Sequence, residues 1–178
     1  MKGRLTAELI SPHYAFFHPQ DKSEQIIALH QVRLNKVLGK KIVLVTGCFD
    51  ILHQEHKNLL KKARHQGDFL VVGLESDGRI KALKGKDRPL NSWRKRAENL
   101  FRLKEVEAVI KLPVFFANSA VRLAFLRLIK PDVLAISSQD PLEKQKRKDC
   151  QKIDCQLKIV HQYNPEISTT KLLLDKNG

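Results

Sequence analysis

Residues 42–56 read IVLVTGCFDILHQEH and combine an apolar run, a glycine and two closely spaced histidines. The apolar, β-branched run Ile42–Thr46 predicts a strand that is buried on both faces. Gly47 follows, where the backbone must turn sharply or approach a ligand closely. His53 and His56 are three residues apart at the start of a helical pattern, which places both imidazoles on one face of its first turn. The N–H groups and positive dipole end of that turn favour anions, so the stretch predicts a phosphate-binding site.

The histidine pair has two other interpretations. Such pairs occur by chance on many helices, and they are also a common zinc-binding arrangement. The metalloprotease order H-E-x-x-H is absent. Glu55 forms an H-x-E string with His53, as in zinc deaminases, but no P-C-x-x-C segment follows. We therefore expect no metal ligands here, and the preceding strand and glycine turn favour the phosphate site.

The composition is typical of one globular α/β domain, with 178 residues, 42% of them hydrophobic and 29% charged. No apolar run is long enough to span a bilayer, and the first residues lack the apolar core of a signal peptide, so no membrane partner is expected. Three cysteines (Cys48, Cys150 and Cys155) are too few for a disulfide framework, which favours a reducing cytoplasm.

Five apolar runs alternate with helical patterns along the chain. The predicted strands are Ile42–Thr46, Phe69–Leu74, Val106–Ile110, Val133–Ile136 and Leu157–Val160. This alternation predicts βαβ units with right-handed crossovers and a parallel sheet. Ligands of such sheets bind at the carboxyl ends of the strands, beside the switch point, and residues 47–56 leave the first strand at that end.

The first 21 residues differ from the rest. They contain two prolines and three aromatics in the segment SPHYAFFHPQ, which predicts an irregular N-terminal arm over residues 1–21 and a single domain over residues 22–178. The aromatics would dock on the domain or on a second subunit, so a homodimer stays open.

The formal net charge of +14 indicates anionic partners, and basic residues are dense between positions 79 and 104. They are Arg79, Lys81, Lys84, Lys86, Arg88, Arg94, Lys95, Arg96, Arg102 and Lys104. A charge run is usually a solvated face, and we expect that for most of them. Nucleic acid is not the expected partner. Aromatic residues that could stack on bases are few within the cluster (Trp93 and Phe101), and no nucleic-acid-binding motif is present.

A second candidate motif is ISTTKLL at positions 167–173. Ser168 and Thr169 open a predicted helix, and hydroxyl residues at that position cap the first turn while leaving N–H groups for a phosphate. By itself the motif is better explained by ordinary helix capping than by a phosphate site.

These segments together resemble a known family. G-C-F-D-I-L-H-Q-E-H resembles the G-x-F-D-x-x-H-x-G-H motif of the cytidylyltransferase-like nucleotidyltransferases. SDGRIKALKGKDRPLN (76–91) is similar to the S-D-x-x-x-x-x-L-K-G-x-x-R-P-x-N segment of heptose-phosphate adenylyltransferases, and ISTT is similar to a segment that lies near the nucleotide phosphates. Glycerol-phosphate cytidylyltransferases are the other similar group. The resemblance covers residues 40–175 and implies a Rossmann-like, doubly wound, five-stranded parallel sheet with helices on both faces.

The resemblance also implies an enzyme that transfers a nucleoside monophosphate from a nucleoside triphosphate to a sugar or polyol phosphate and releases pyrophosphate. ATP is favoured over CTP, and Mg²⁺ is the expected cofactor. The implied catalytic residues are His53, His56, Lys84 and Arg96. The implied nucleotide-binding residues are Gly47, Cys48, Phe49, Asp50, Ser168, Thr169 and Thr170. The implied substrate-binding residues are Arg88 and Asp77. From its position, Asp50 is expected to order the turn rather than to act as a base.

Four departures from the family pattern fall on the nucleotide side. Glutamates stand in place of glycine at Glu55 and Glu166, residues 137–139 replace a glycine–acidic segment, and Tyr163 replaces an arginine. A carboxylate beside the histidines should repel a triphosphate. The alternative function is therefore a nucleotide-binding relative with weakened turnover, which the two glutamates favour and the retained histidines oppose.

Overall fold

The computed structural model describes residues 22–164, so the predicted arm and the ISTT motif with Ser168, Thr169 and Thr170 lie outside the described residues. Eleven elements follow one another within this range. They are α1 (Lys22–Val37), β1 (Ile42–Gly47), α2 (Gln54–Arg64), β2 (Phe69–Leu74), α3 (Asp77–Lys84), α4 (Trp93–Phe101), β3 (Ala108–Lys111), α5 (Ser119–Ile129), β4 (Val133–Ser137), α6 (Glu143–Gln151) and β5 (Gln156–His161). No helix within residues 22–164 is both long and apolar enough to cross a bilayer.

The five strands form one parallel sheet in the order β3-β2-β1-β4-β5. β1 lies at the centre, with Ile42 beside Phe69 of β2 and Val43 beside Val133 of β4. The chain leaves β1 toward one edge of the sheet and returns to the other side of β1 through β4. This reversal is the switch point of a doubly wound sheet, and it confirms the predicted Rossmann-like fold.

Helices cover both faces of the sheet. Along each strand, alternate side chains enter two separate cores, as the two-residue period of a strand requires. Ile42 and Leu44 pack with residues of α1, α5 and α6, whereas Val43 and Val45 pack with residues of α2 and α4. All four side chains are at most 1% exposed, which explains the continuous apolar run at the start of residues 42–56.

Capping residues fix where the helices begin. The side chain of Ser76 accepts from the N–H of Arg79, that of Ser92 accepts from Lys95, and that of Asn118 accepts from Ala120 and Val121. These contacts satisfy N–H groups that have no partner within the helix. α3 and α4 therefore begin at defined points after β2, and both deliver residues to the carboxyl edge of the sheet.

Candidate active site

A cavity of about 160 Å³ lies at the carboxyl edge of the sheet, where β1, β4 and β5 end beside the first turn of α2. It is lined by Thr46, Gly47, Cys48, Phe49, Glu55, His56, Leu59, Ser137, His161 and Tyr163. A larger cavity of about 420 Å³ lies at the opposite edge, next to Lys36 and Asp132, which precede β1 and β4. Doubly wound sheets bind ligands at the carboxyl edge, so the smaller cavity is the candidate site.

The turn after β1 is shaped by the ring of Phe49. This residue is 3% exposed and has a positive φ of 45°, a conformation that is uncommon for a bulky side chain. A Cβ atom on Gly47 would lie 2.9 Å from Phe49 Cε2. Gly47 is therefore needed because the aromatic ring folds back over it, and the strained turn holds the cavity wall in place.

His53 and His56 stack on each other, with ring centroids 3.8 Å apart and an interplanar angle of 20°. The Nδ1–H group of His56 donates to the carbonyl oxygen of Ile51 over 3.1 Å, and its ring also meets the edge of Phe49. His53 is 9% exposed, and its Nδ1 atom is buried without a hydrogen-bond partner among residues 22–164. A buried polar atom without a partner is costly, and a bound ligand would satisfy it.

Both imidazoles are neutral at neutral pH. Burial lowers the pKa of His56 to about 4, with the adjacent His53 as the second cause. Burial also lowers the pKa of His53, although the carboxylate of Glu55 opposes the effect. An incoming phosphate would favour the protonated forms, in which both ring nitrogens are donors.

Asp50 ties the turn after β1 to the loop before α4. Its side chain is 2% exposed, accepts from the N–H groups of Leu90 and Asn91, and pairs with Arg88 over 2.8 Å. These contacts agree with the expectation that Asp50 orders the turn. The ion pair directs Arg88 toward Asp50, and the predicted substrate contact of Arg88 stays a prediction.

Arg96 is fully buried in the structure, with no exposed side-chain area. It donates to the carbonyl oxygens of Cys48 (2.5 Å), Glu75 (2.8 Å) and Asn91 (3.1 Å) and to the carboxylate of Asp77 (2.7 Å). The other carboxylate oxygen of Asp77 accepts from the N–H of Trp93, so this side chain is also bonded within the fold. As placed, Arg96 positions the turn that bears Cys48.

Lys84 is exposed at the end of α3, and it is close enough for its charge to act on Cys48 and His56. Burial nevertheless raises the pKa of the Cys48 thiol, which is therefore protonated at neutral pH. Lys84 does not line the cavity, but its charge acts on two residues that do, Cys48 and His56.

Glu55 lines the cavity, but its carboxylate is bonded within the fold. It accepts from His161 Nε2–H over 2.8 Å and from the backbone N–H of Asn164 over 2.9 Å. The bond from Asn164, reinforced by His161, holds the pKa of Glu55 below its ordinary value. The carboxylate is thus ionised as the sequence suggests, yet its charge is partly offset by donors from the end of β5.

Two polar residues of this region are not among the site residues predicted from the sequence. His161 ends β5, and Lys146 of α6 is 4% exposed and donates to Thr46 Oγ1 (2.9 Å) and Asp140 (2.7 Å). His161 could have been suspected because it ends a strand at the ligand-binding edge. Lys146 could have been found from helical spacing, because it shares the inward face of α6 with buried Cys150.

The carboxylates of the site do not form a resident Mg²⁺ cage. Residues 22–164 contain no group of three or more His, Cys, Asp or Glu side chains that could hold a metal ion. Two carboxylates of this region, those of Asp50 and Glu55, already accept hydrogen bonds from the protein. Mg²⁺ usually binds through one or two carboxylates together with the phosphates of a substrate, so these two carboxylates do not by themselves make a resident Mg²⁺ site.

A doubly wound parallel sheet with a buried histidine pair where β1 meets its helix is the arrangement that the sequence motifs predict. The chain belongs to the cytidylyltransferase-like family, whose model matches residues 44–173. This range includes the histidine pair, the basic loop and the ISTT motif, so the resemblance seen in the motifs is confirmed over most of the chain.

Relatives of known name match about half of the chain. It is 44% identical over 96 residues to the bifunctional protein HldE of Nitratiruptor sp., which covers 54% of this chain and 20% of that protein. It is 48% identical over 101 residues to the bifunctional protein HldE of Helicobacter hepaticus, covering 57% and 20%. The chain thus spans about a fifth of the length of these relatives.

Solved structures support the fold. The lipopolysaccharide core biosynthesis protein from Thermoplasma volcanium has 26% identity and a TM-score of 0.56, covering 71% of this chain and all of that one. A pantoate-beta-alanine ligase from Francisella tularensis has 15% identity and a TM-score of 0.57, covering 84% and 75%. At that identity the second likeness concerns the fold alone.

Proposed function

We propose that this domain transfers a nucleoside monophosphate from a nucleoside triphosphate to a sugar or polyol phosphate, with release of pyrophosphate. The observation that carries the proposal is the stacked, buried pair His53–His56 at the carboxyl end of β1, with one ring nitrogen of His53 unpartnered among residues 22–164. ATP is the favoured donor because the loop LKGKDRP (83–89) resembles that of heptose-phosphate adenylyltransferases.

The proposed reaction is an in-line displacement. A phosphate oxygen of the acceptor forms a bond to the α-phosphorus, and the bond from this phosphorus to the bridging oxygen breaks. Pyrophosphate carries away the electron pair, so no covalent enzyme intermediate is needed. Catalysis then rests on positioning the two phosphates and on donors directed at the charge that develops on their oxygens.

Each residue has a distinct part in this scheme. His53 and His56 donate hydrogen bonds to the triphosphate once its charge has raised their pKa values. Lys84 neutralises phosphate charge from the end of α3. Arg96 acts by holding the carbonyl of Cys48 in place, and its predicted direct contact with phosphate would require its hydrogen bonds to be exchanged. Mg²⁺ would enter with the triphosphate, shielding the charge of the phosphate oxygens.

A nucleotide-binding relative with weakened turnover is the second candidate. It is favoured by the size of the cavity, about 160 Å³, whereas sites for small molecules usually measure roughly 300–1,000 Å³. The side chain of Glu55 occupies part of this space. A bound nucleotide would therefore have to lie across the cavity mouth or displace part of its wall.

The deciding experiment is a pyrophosphate-release screen that crosses ATP, CTP, GTP and UTP with sugar, polyol and alcohol phosphates. In the active combination, His53→Ala and His56→Ala should each lower kcat roughly 10²–10³-fold, the usual effect of losing one donor to a transition-state charge. His65→Ala is the matched control, since His65 is exposed at the other end of α2. Near-native rates in both site variants would remove the histidines from the mechanism, and release with no acceptor at all would indicate hydrolysis instead.

A further inference from the structure

The departures from the family pattern contact one another in the structure. Glu55 stands where the pattern has a glycine, and its carboxylate accepts from His161 and from the N–H of Asn164. Glu55 is 7% exposed and His161 is 6% exposed, so this contact is shielded from water. It joins the first turn of α2, which carries the histidine pair, to the residues that follow β5.

Ser138, from the replaced segment after β4, binds the same residues from the other side. Its Oγ atom accepts from the N–H of Tyr163 over 3.0 Å, and its own N–H donates to the carbonyl oxygen of His161 over 2.9 Å. Lys62 of α2 donates to the second ring nitrogen of His161 over 3.3 Å. Residues 161–164 are thus held between α2 and the end of β4.

The side chains of two of the departures, Glu55 and Ser138, therefore bind the backbone of the segment that contains a third, Tyr163. If a nucleotide site had simply been lost, the substituted positions would not be expected to contact one another. Here the carboxylate supplies the acceptor that the N–H of Asn164 needs, and the serine supplies the acceptor for the N–H of Tyr163. Glu55 adds bulk and negative charge in place of a glycine. Both are compensated, because its carboxylate binds residues 161–164, on the side where we expect a nucleotide.

We infer that Glu55 is a positioning residue of the nucleotide side, holding residues 161–164 against the helix that bears His53 and His56. This inference rests on the proposed function. His161 and Tyr163 both line the cavity, so this contact fixes part of the cavity wall.

The test compares nucleotide binding by Glu55→Gly and Glu55→Gln. A positioning role and a repulsive role of Glu55 predict different orders of affinity for the native protein and these two variants. A glutamine oxygen can still accept from Asn164 and His161, so a positioning role predicts near-native ATP or CTP binding for Gln and roughly tenfold weaker binding for Gly. A merely repulsive Glu55 predicts that both variants bind more tightly than the native protein, with Gly the tightest. Calorimetric titration with and without Mg²⁺ separates these orders, and the second order overturns the inference.

A measurement without nucleotide keeps the inference separate from the proposed function. Hydrogen exchange of residues 161–164 should become at least several-fold faster in Glu55→Gly than in Glu55→Gln, since only the glycine lacks an acceptor. Glu143→Gly is the matched control, because it also places glycine in the first turn of a helix, α6, away from the cavity. Unchanged exchange in Glu55→Gly overturns the positioning role. If exchange is faster in Glu55→Gly but the native protein neither binds nor converts any nucleotide, the positioning contact is supported and the proposed function is contradicted.

Discussion

Acidification should destabilise the folded domain through His56. Burial, with His53 as the second cause, lowers its pKa from 6.5 to about 4, whereas in the unfolded chain the imidazole returns to its ordinary value. Between these two values the unfolded chain holds more protons than the folded one. Folding stability therefore rises with pH in this window, and the contribution is fully present above pH 6.5 and lost as the pH falls toward 4.

The size of the effect follows from the two pKa values. The difference between 6.5 and about 4 corresponds to roughly 3 kcal/mol, which is expressed in full only at a pH below the folded-state value. At pH 5 about 2 kcal/mol is expressed, and at pH 7 nearly none. Such a loss is a large fraction of the stability of a typical domain, about 5–15 kcal/mol.

Urea unfolding at pH 7.5 and pH 5 measures this loss. The native protein and the exposed control His65→Gln should lose roughly 2 kcal/mol more between the two conditions than His56→Gln, whose amide does not titrate and can still donate to Ile51. Other titrating groups, such as Glu55, are common to all three proteins and largely cancel. Equal losses in all three would refute the reasoning, because they would mean that folding does not hold the His56 ring in a neutral, buried state.

Two further predictions separate structural from ligand-binding basic residues. Arg96→Ala should lower the free energy of unfolding by about 3–5 kcal/mol in urea, because the carbonyls of Cys48 and Glu75 lose a buried donor, and an unchanged unfolding midpoint would contradict this. Lys84→Ala should raise KM for the triphosphate roughly tenfold at unchanged stability in the pyrophosphate-release assay, whereas Lys86→Ala, exposed in the following loop, should leave both unchanged. Equal losses at both lysines with a steep dependence on salt would instead indicate diffuse binding of anions.

The sheet is predictable from sequence because burial on both faces leaves an apolar run for each strand. The one clear shift concerns β3, which begins at Ala108 and not at Val106. The side chain of Glu107 accepts from the N–H of Leu70 and pairs with Arg64, so a carboxylate takes the place of a ladder partner. A contact between residues so distant in sequence leaves no trace in local periodicity.

The candidate site is predictable only in part, and the reason is again long-range contact. Motif spacing identifies His53 and His56, because their proximity depends only on the helix that carries them. The partner of Glu55 is His161, more than one hundred positions later, and the two meet only because β5 joins the sheet beside β4. Sequence alone therefore describes Glu55 as a free charge, whereas the fold supplies the donors that bind it.

The basic residues also show that long-range contacts decide the role of a charged side chain. Arg88, Arg96 and Lys146 are all at most 13% exposed in their side chains, and each forms an ion pair with an aspartate at the carboxyl edge of the sheet. Their charges hold the loops of the site together and are largely balanced there. The histidines are neutral, so Lys84 and the N–H groups of α2 are the features among residues 22–164 best placed to attract a phosphate. A net charge of +14 on the chain therefore does not by itself make the cavity strongly positive. Under the proposed function, recognition of a triphosphate would depend on proton uptake by the histidine pair and on directed hydrogen bonds more than on bulk charge.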